Sequence, residues 1–223
     1  MTILVEAAVD SLDDALAAVE GGADRLELCA NLSVGGTTPD RALIAAVLHR
    51  VRVPVLAMIR PRGGSFVYAA GEIERMRRDI EMALDMGVAG VVLGVLDSAD
   101  LIDVARTQSL VSVAGAQRVT FHRAFDRTPD VYAAADTLVS LGVSRVLTSG
   151  GAATASEGAD VLASLVARVG GRLGILAGGG VRANNVRDIV ERSGVREVHA
   201  RCERDAERIR TIKSSFDPSR RPG

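Results

Sequence analysis

Polar side chains able to do chemistry recur in this chain at alternate positions of short apolar runs: Glu6, Glu27, Arg60, Arg62 and His122, with Arg123 and Asp126 close behind the last. Glu6, Glu27 and His122 are the candidate proton carriers, the histidine because an imidazole titrates near neutrality. Arg60 and Arg62 are candidates to clamp a carboxylate or a developing oxyanion. Arg123 and Asp126 give His122 charged neighbours. A second group is the run Ala177-Gly178-Gly179-Gly180-Val181, followed by Asn184-Asn185. Gly178, Gly179 and Gly180 would let backbone N–H groups approach a phosphate, with Asn184 opening a helix whose N-terminus favours negative charge. A tight strand-to-helix turn would use the same residues. The third group is soft: a thiolate at Cys29 and a thioether at Met58 are donors that select Cu(I), although a lone buried cysteine also serves as a small apolar filler.

These residues need elements to position them, and glycine punctuates the chain accordingly. Gly22, Gly87, Gly115, Gly142, Gly171 and Gly194 each precede, by about three residues, a short apolar run. Glycine ends a helix in the left-handed conformation, and a strand follows. Adding strands at Ile3–Val9 and Val55–Pro61 gives eight strand-plus-helix units. That is the outline of one (β/α)8 barrel, whose ligand sites lie at the C-terminal ends of the strands. Helices are predicted at 12–20, 39–51, 71–86, 103–113, 129–141, 156–169, 183–192 and 203–214. Asp10-Ser11, Thr38-Pro39 and Thr128-Pro129 offer N-caps or first-turn prolines. The barrel is expected over residues 1–216, with a disordered tail at 217–223. Arg62 to Gly71 reads as the longest connection and a lid over the mouth.

Strand side chains alternate between barrel interior and helix layer. If Val5, Ala7, Val9, Leu26, Leu28, Val55, Ala57, Ile59, Val119 and Phe121 meet the helices, then Glu6, Ala8, Glu27, Cys29, Met58, Arg60, Arg62 and His122 face in. His199 shares that parity, where a histidine is more often structural than catalytic. Buried charges demand partners. Glu6, Glu27, Glu197, Arg60 and Arg201 would make one salt-bridge plug. Glu197 and Arg201 are assigned to that scaffold. Glu6, Glu27, Arg60, Arg62 and His122 are assigned to a ligand site, because they come from different strands toward one mouth.

Composition narrows the function. The 223 residues carry 27 basic and 28 acidic side chains, and aromatics are 3%. The charge balance offers no footprint for nucleic acid, and the scarce aromatics no stacking platform. No apolar run approaches the roughly 18 residues of a membrane span, and Glu6 and Asp10 interrupt the start where a signal peptide would be apolar. A cytoplasmic protein with reduced thiols at Cys29 and Cys202 is expected. Lys213 is the only lysine and falls in the last helix. Schiff-base aldolase chemistry on a strand lysine is therefore excluded.

Several blocks are specific: Asp24-Arg25-Leu26-Glu27-Leu28-Cys29-Ala30-Asn31-Leu32, Gly35-Gly36-Thr37-Thr38-Pro39, Met58-Ile59-Arg60-Pro61-Arg62-Gly63-Gly64, Val119 to Asp126, and Leu147-Thr148-Ser149-Gly150. With them the chain resembles the CutC family, named for copper homeostasis, from Glu6 to about Arg201. The resemblance implies a (β/α)8 barrel, a cytosolic location, a homo-oligomer (dimer or tetramer) and a role in copper binding or trafficking. Cys29 and Met58 would then be Cu(I) ligands, with Cys202 or His122 completing the set. The family's first strand usually reads Glu-Val-Cys-Val-Asp, whereas this chain has Glu6-Ala7-Ala8-Val9-Asp10, so a cysteine pair would lose one member. Cys202, after the strand that flanks the first in a closed barrel, is the candidate replacement. The alternative function is an enzyme of proton-transfer, isomerase or metal-assisted lyase type, acting on a small anionic or phosphorylated metabolite.

Overall fold

Short runs rich in β-branched and other apolar residues form eight parallel strands that close on one another in chain order. They are β1 Leu4–Val9, β2 Arg25–Leu28, β3 Val55–Met58, β4 Gly90–Leu93, β5 Val119–Phe121, β6 Arg145–Thr148, β7 Gly174–Ala177 and β8 Glu197–Arg201. Between them run α1 Leu12–Glu20, α2 Arg41–Arg50, α3 Ala70–Asp85, α4 Val104–Ala114, α5 Val131–Ser140, α6 Ala159–Val169 and α7 Val186–Ser193, with α8 Ala206–Ser214 after β8. This is the expected (β/α)8 barrel. The computed structural model describes residues 3–216, so the predicted tail at 217–223 lies outside the described residues. None of the described helices is long and apolar enough to cross a membrane.

The main core is the layer between strands and helices. Val5, Ala7, Leu26, Leu28, Ala57, Val91, Leu93, Phe121 and Val198 meet Ile44, Met76, Ile80, Leu110, Leu138, Leu165 and Ile209 there. Burying each such Val, Leu, Ile or Phe side chain contributes about 1.5–3 kcal/mol. The inner face holds a much smaller apolar cluster of Cys29, Leu56, Met58 and Val92, so polar residues fill much of the barrel.

Boundaries moved where local hydrogen bonding outweighed pattern. The aspartates after the prolines cap α2 and α5. Asp40 accepts from the Leu43 N–H at 2.7 Å, and Asp130 from those of Tyr132 and Ala133 at 2.9 and 3.1 Å. Ser11 caps α1 as expected, accepting from the Asp14 N–H at 3.1 Å. Strand β3 stops before Pro61 because the Arg60 N–H leaves the ladder for Thr38 Oγ1, 2.9 Å away. The β2–α2 connection, 29–40, outruns the β3–α3 connection, 59–69, that was expected to be the longest. Both arch over the same end of the barrel.

Candidate active site at the C-terminal mouth of the barrel

The barrel interior divides into two levels. At the lower level the first residues of three strands supply charge: Arg25 of β2, Arg145 of β6 and Glu197 of β8. Arg25 is ion-paired through Nε to Glu6 and donates through Nη2 to Glu197 at 2.6 Å. Arg145 donates to the same Glu197 oxygen at 2.7 Å and to Thr120 Oγ1 at 3.0 Å. This is the salt-bridge plug expected of Glu197, built with Arg25 and Arg145 instead of Arg60 and Arg201. Arg201 is exposed and donates to the Leu32 carbonyl at 3.0 Å.

Glu6 connects the two levels. Register places it beside Arg25 on β2 and His199 on β8. Its Oε1 lies 2.9 Å from His199 Nδ1, and His199 Nε2 lies 3.7 Å from Glu27 Oε2. Burial alone would raise the Glu6 pKa, but His199 and Arg25 outweigh it and hold the carboxyl well below its usual range. Glu27 moves the other way, raised by burial and by the charge of Glu6 against the pull of His199. His199 is raised as well, because the two carboxylates overcome a burial effect of opposite sign. The imidazole is thus oriented by Glu6 toward Glu27, whose Oε1 is buried without a partner among the described residues.

Above this floor opens a cavity of about 470 Å³. Glu27, His199 and Met58 lie at its base; Arg60, Phe66 and His122 form one wall; Arg123, Gly179, Gly180 and Arg182 form another, with Arg201 and Glu203 at the rim. The second wall carries two guanidinium groups, Arg123 and Arg182. Arg123 is fixed by Asp126 Oδ2 at 2.8 Å and by Ser149 Oγ at 2.8 Å. A Cβ on Gly179 would stand 3.3 Å from that guanidinium, and its φ of +99° disfavours a side chain in any case.

Four expectations need correction. Glu6 does not line the cavity; it is enclosed between Arg25 and His199 and acts by orienting the latter. Arg62 turns away from the mouth, donating to Glu72 at 2.7 Å and to the carbonyls of Ser65 and Val67 at 2.8 and 2.9 Å. Asp126, expected as a charged neighbour of His122, is instead engaged by the N–H groups of Ser149 and Gly151 and the hydroxyls of Thr148 and Ser149, and supports Arg123. His122 reaches the cavity, but burial and the Arg60 charge push its pKa down to about 3, so the ring is neutral where a titrating group was expected.

The glycine run also separates by role. Gly179 and Gly180 line the cavity. Gly178 is a packing glycine whose N–H binds the Thr148 carbonyl at 2.9 Å and whose Cβ would strike Leu147 at 2.4 Å. Asn184 is exposed, and Asn185 closes the turn instead, accepting from the Arg182 N–H at 2.8 Å and donating to the Gly180 carbonyl at 2.9 Å.

Among the soft donors, Cys29 and Met58 come together under the β2–α2 loop. A Cβ on Gly36 would lie 3.0 Å from Cys29 Sγ and 3.6 Å from Met58 Cε. The Cys29 thiol donates toward Glu27 Oε2 at 3.7 Å, and burial with that carboxylate raises its pKa well above the usual value. Cys202 does not join them. It shares the outward parity of Val198 and Ala200, packs in the outer core, and is pushed up to about 12 by burial and Asp14. Of the groups able to hold a cation, Glu6, Glu27 and His199 present ligand atoms within 4.8 Å of one another.

Sequence reasoning left His199, Phe66 and Arg182 out of the site, and Arg25 and Arg145 out of the plug. Arg25 and His199 carried the right parity. Arg145 did not announce itself, because Val146 and Leu147 beside it are both apolar.

An eight-stranded (β/α)8 barrel with a polar, arginine-lined mouth defines the structural class. Residues 3–203 match the model of the CutC family. A family protein CutC from Xanthomonas axonopodis pv. citri is 45% identical over 196 residues, covering 88% of this chain and 82% of that protein. The human copper homeostasis protein cutC homolog is 45% identical over 205 residues, 91% of this chain and 75% of its own length. A solved CutC structure from Streptococcus agalactiae superposes with a TM-score of 0.84 at 36% identity, covering 89% of this chain and 98% of that one. The chain belongs to the CutC family.

Proposed function

We propose that the barrel mouth is the active site of a proton-transfer enzyme acting on a small anionic, phosphorylated metabolite. The observation that carries the proposal is Glu27, a buried carboxyl with a raised pKa and an unpartnered oxygen, at the base of a cavity whose wall is lined by Arg123, Arg182 and two glycines. A carboxyl poised upward in pKa is suited to exchange protons near neutral pH. The anion would sit against Arg123 and the Gly179–Gly180 backbone, at the position where barrels of this type hold phosphate. His199, oriented by Glu6, holds its Nε2 3.7 Å from Glu27 Oε2, where its charge acts on the Glu27 carboxyl. Incubation in D2O with phosphorylated metabolites should give enzyme-dependent deuterium incorporation at carbon, read by mass spectrometry. Glu27→Gln should lower that incorporation at least about 100-fold, the usual scale of a general base. Incorporation equal in wild type and variant would remove Glu27 from the chemistry.

A second reading, copper handling, is supported by the name of the human relative and by the approach of Cys29 and Met58 beneath Gly36. Copper would be cargo here, taken as Cu(I) by these soft donors. On this reading Cys29→Ala abolishes sub-micromolar Cu(I) binding in a chelator competition, whereas Cys202→Ala leaves it unchanged. Retention of affinity in Cys29→Ala would overturn it. A cytoplasmic location and a homo-oligomeric state belong to the same proposal, and sedimentation of the full chain tests the latter.

A further inference from the structure

Two buried nitrogens in the mouth, Arg60 Nε and His122 Nε2, have no partner among the described residues. Arg60 is 5% exposed. Its Nη1 donates to the carbonyls of Val34 and Gly36, both at 3.1 Å, and its Nη2 to that of Gly64 at 3.0 Å. Only Nε is left, buried and unpartnered. The guanidinium is thus held by carbonyl dipoles, not by a carboxylate, and its positive charge stays available to a ligand. His122 is 4% exposed, and its Nδ1 accepts from the Ala124 N–H at 3.2 Å. That bond fixes the tautomer, so the ring proton sits on Nε2, which is also buried and unpartnered.

The local sequence makes room for this pair. A Cβ on Gly94 would stand 2.5 Å from two atoms of the His122 ring, so only glycine at the end of β4 allows the imidazole its place. Phe66, from the β3–α3 loop, lies against both groups. Its ring centroid is 4.9 Å from that of His122 and 4.9 Å from the Arg60 guanidinium carbon. All three line the cavity that Glu27 floors. Buried donors left unpaired destabilise a fold, and two of them in one cavity wall mark a place built for an acceptor.

We propose that Arg60 Nε–H and His122 Nε2–H form one oxyanion site for a substrate carbonyl oxygen, which makes the substrate class a small phosphorylated carbonyl compound and the reaction an enolisation. This rests on the proton-transfer reading of the mouth and specifies it. Glu27 takes the proton from the carbon next to the carbonyl. The C–H electron pair becomes a C=C bond, and the carbonyl π pair moves onto oxygen as an enolate facing the two N–H donors. Return of the proton from Glu27 to carbon regenerates the carbonyl, so no oxidant or second reactant is required. The low pKa of His122 suits the role: the neutral imidazole donates its Nε2–H to the enolate as a hydrogen bond and is too weak an acid to surrender that proton.

The test uses the full chain and three probes: inorganic phosphate, glycerol 3-phosphate, which has no carbonyl or carboxylate, and 2-phosphoglycolate, whose carboxylate resembles the enolate. Calorimetry should show 2-phosphoglycolate binding about tenfold or more tighter than glycerol 3-phosphate, the scale of a charge-assisted hydrogen bond. His122→Phe keeps the ring and, because the imidazole is neutral, the net charge of the mouth; it should abolish most of that preference. In the wild-type protein the ¹⁵N signals of His122 Nε2 and Arg60 Nε should shift with 2-phosphoglycolate and not with glycerol 3-phosphate, a readout that survives if the variant fails to fold. Equal affinity for the two organic probes, or a preference with both nitrogens unmoved, overturns the oxyanion site while phosphate binding stands. Failure of all three probes, inorganic phosphate included, overturns the phosphate reading along with it.

Discussion

The lower and upper levels of the barrel interior contain the same residue types and treat them in opposite ways. Below, Arg25, Arg145, Glu6 and Glu197 satisfy one another, with Thr120 taking a further guanidinium N–H. Above, Arg60, His122 and Glu27 each keep an unpartnered buried atom beside a cavity. Burial of charge is costly at both levels. The lower network recovers that cost within the protein, and the upper one leaves it to be recovered by a ligand. Pairing, more than residue type or depth, separates scaffold from site in this barrel.

The largest effect should come from breaking the paired level. Arg25→Met strips a guanidinium from Glu6 and Glu197, both left with a single remaining partner, His199 and Arg145 respectively. Removing one member of a buried ion pair costs about 3–5 kcal/mol, and a fall in melting temperature corresponding to the lower end of that range is expected. A melting temperature unchanged from wild type would mean that the lower network is no scaffold.

The next effect tests the unpaired level through pH. The unfolded chain protonates His122 near its ordinary value of 6.5, whereas the folded ring stays neutral down to about 3. Stability is therefore lost as pH falls through that window, by at most about 1.4 kcal/mol per pH unit. His122→Phe should remove this slope. Chemical denaturation of both proteins at about pH 6.5 and about pH 5 checks it, and parallel decline of the two curves would show that His122 protonates freely in the fold.

Much of this contrast was legible in the sequence and part was not. Alternation sent Glu6, Glu27, Cys29, Met58, Arg60 and His122 to the interior, because outward apolar residues fix the inward ones on any strand buried on both faces. Alternation carries no information about height along the barrel. Glu6 and Glu27 share parity yet differ in fate, since strand register sets Glu6 beside Arg25 and Glu27 beside Leu56. Parity also fails once a strand ends. Alternation carries Arg62 inward with Arg60, but the ladder already ends at the Arg60 N–H, and the Arg62 side chain follows the loop to Glu72. Likewise, glycine composition could not divide Gly178, which packs under Leu147, from Gly179 and Gly180, which face the cavity.

Arg62 supplies the smallest expected effect and the sharpest test of pairing as the criterion. It sits two residues from Arg60 at the same mouth, but its donors are all engaged: Nε with Glu72 at 2.7 Å, Nη1 with the Ser65 carbonyl at 2.8 Å and Nη2 with the Val67 carbonyl at 2.9 Å, while the guanidinium lies 5.0 Å over the Tyr68 ring. An arginine with all three nitrogens engaged should behave as scaffold wherever it lies, whereas Arg123, held through Nε and Nη2, still faces the cavity. Because the Arg62–Glu72 ion pair is partly exposed, with side-chain exposures of 40% and 28%, global stability should fall by less than about 1 kcal/mol in Arg62→Gln. The loss should concentrate in the loop it staples. Amide exchange at residues 63–69 should accelerate, while exchange in β3 and α3 stays near wild type, and the affinity for inorganic phosphate should not change, since Arg62 is absent from the cavity wall. A drop in phosphate affinity with unaltered loop exchange would instead make Arg62 a ligand residue, and pairing would no longer divide the scaffold from the site.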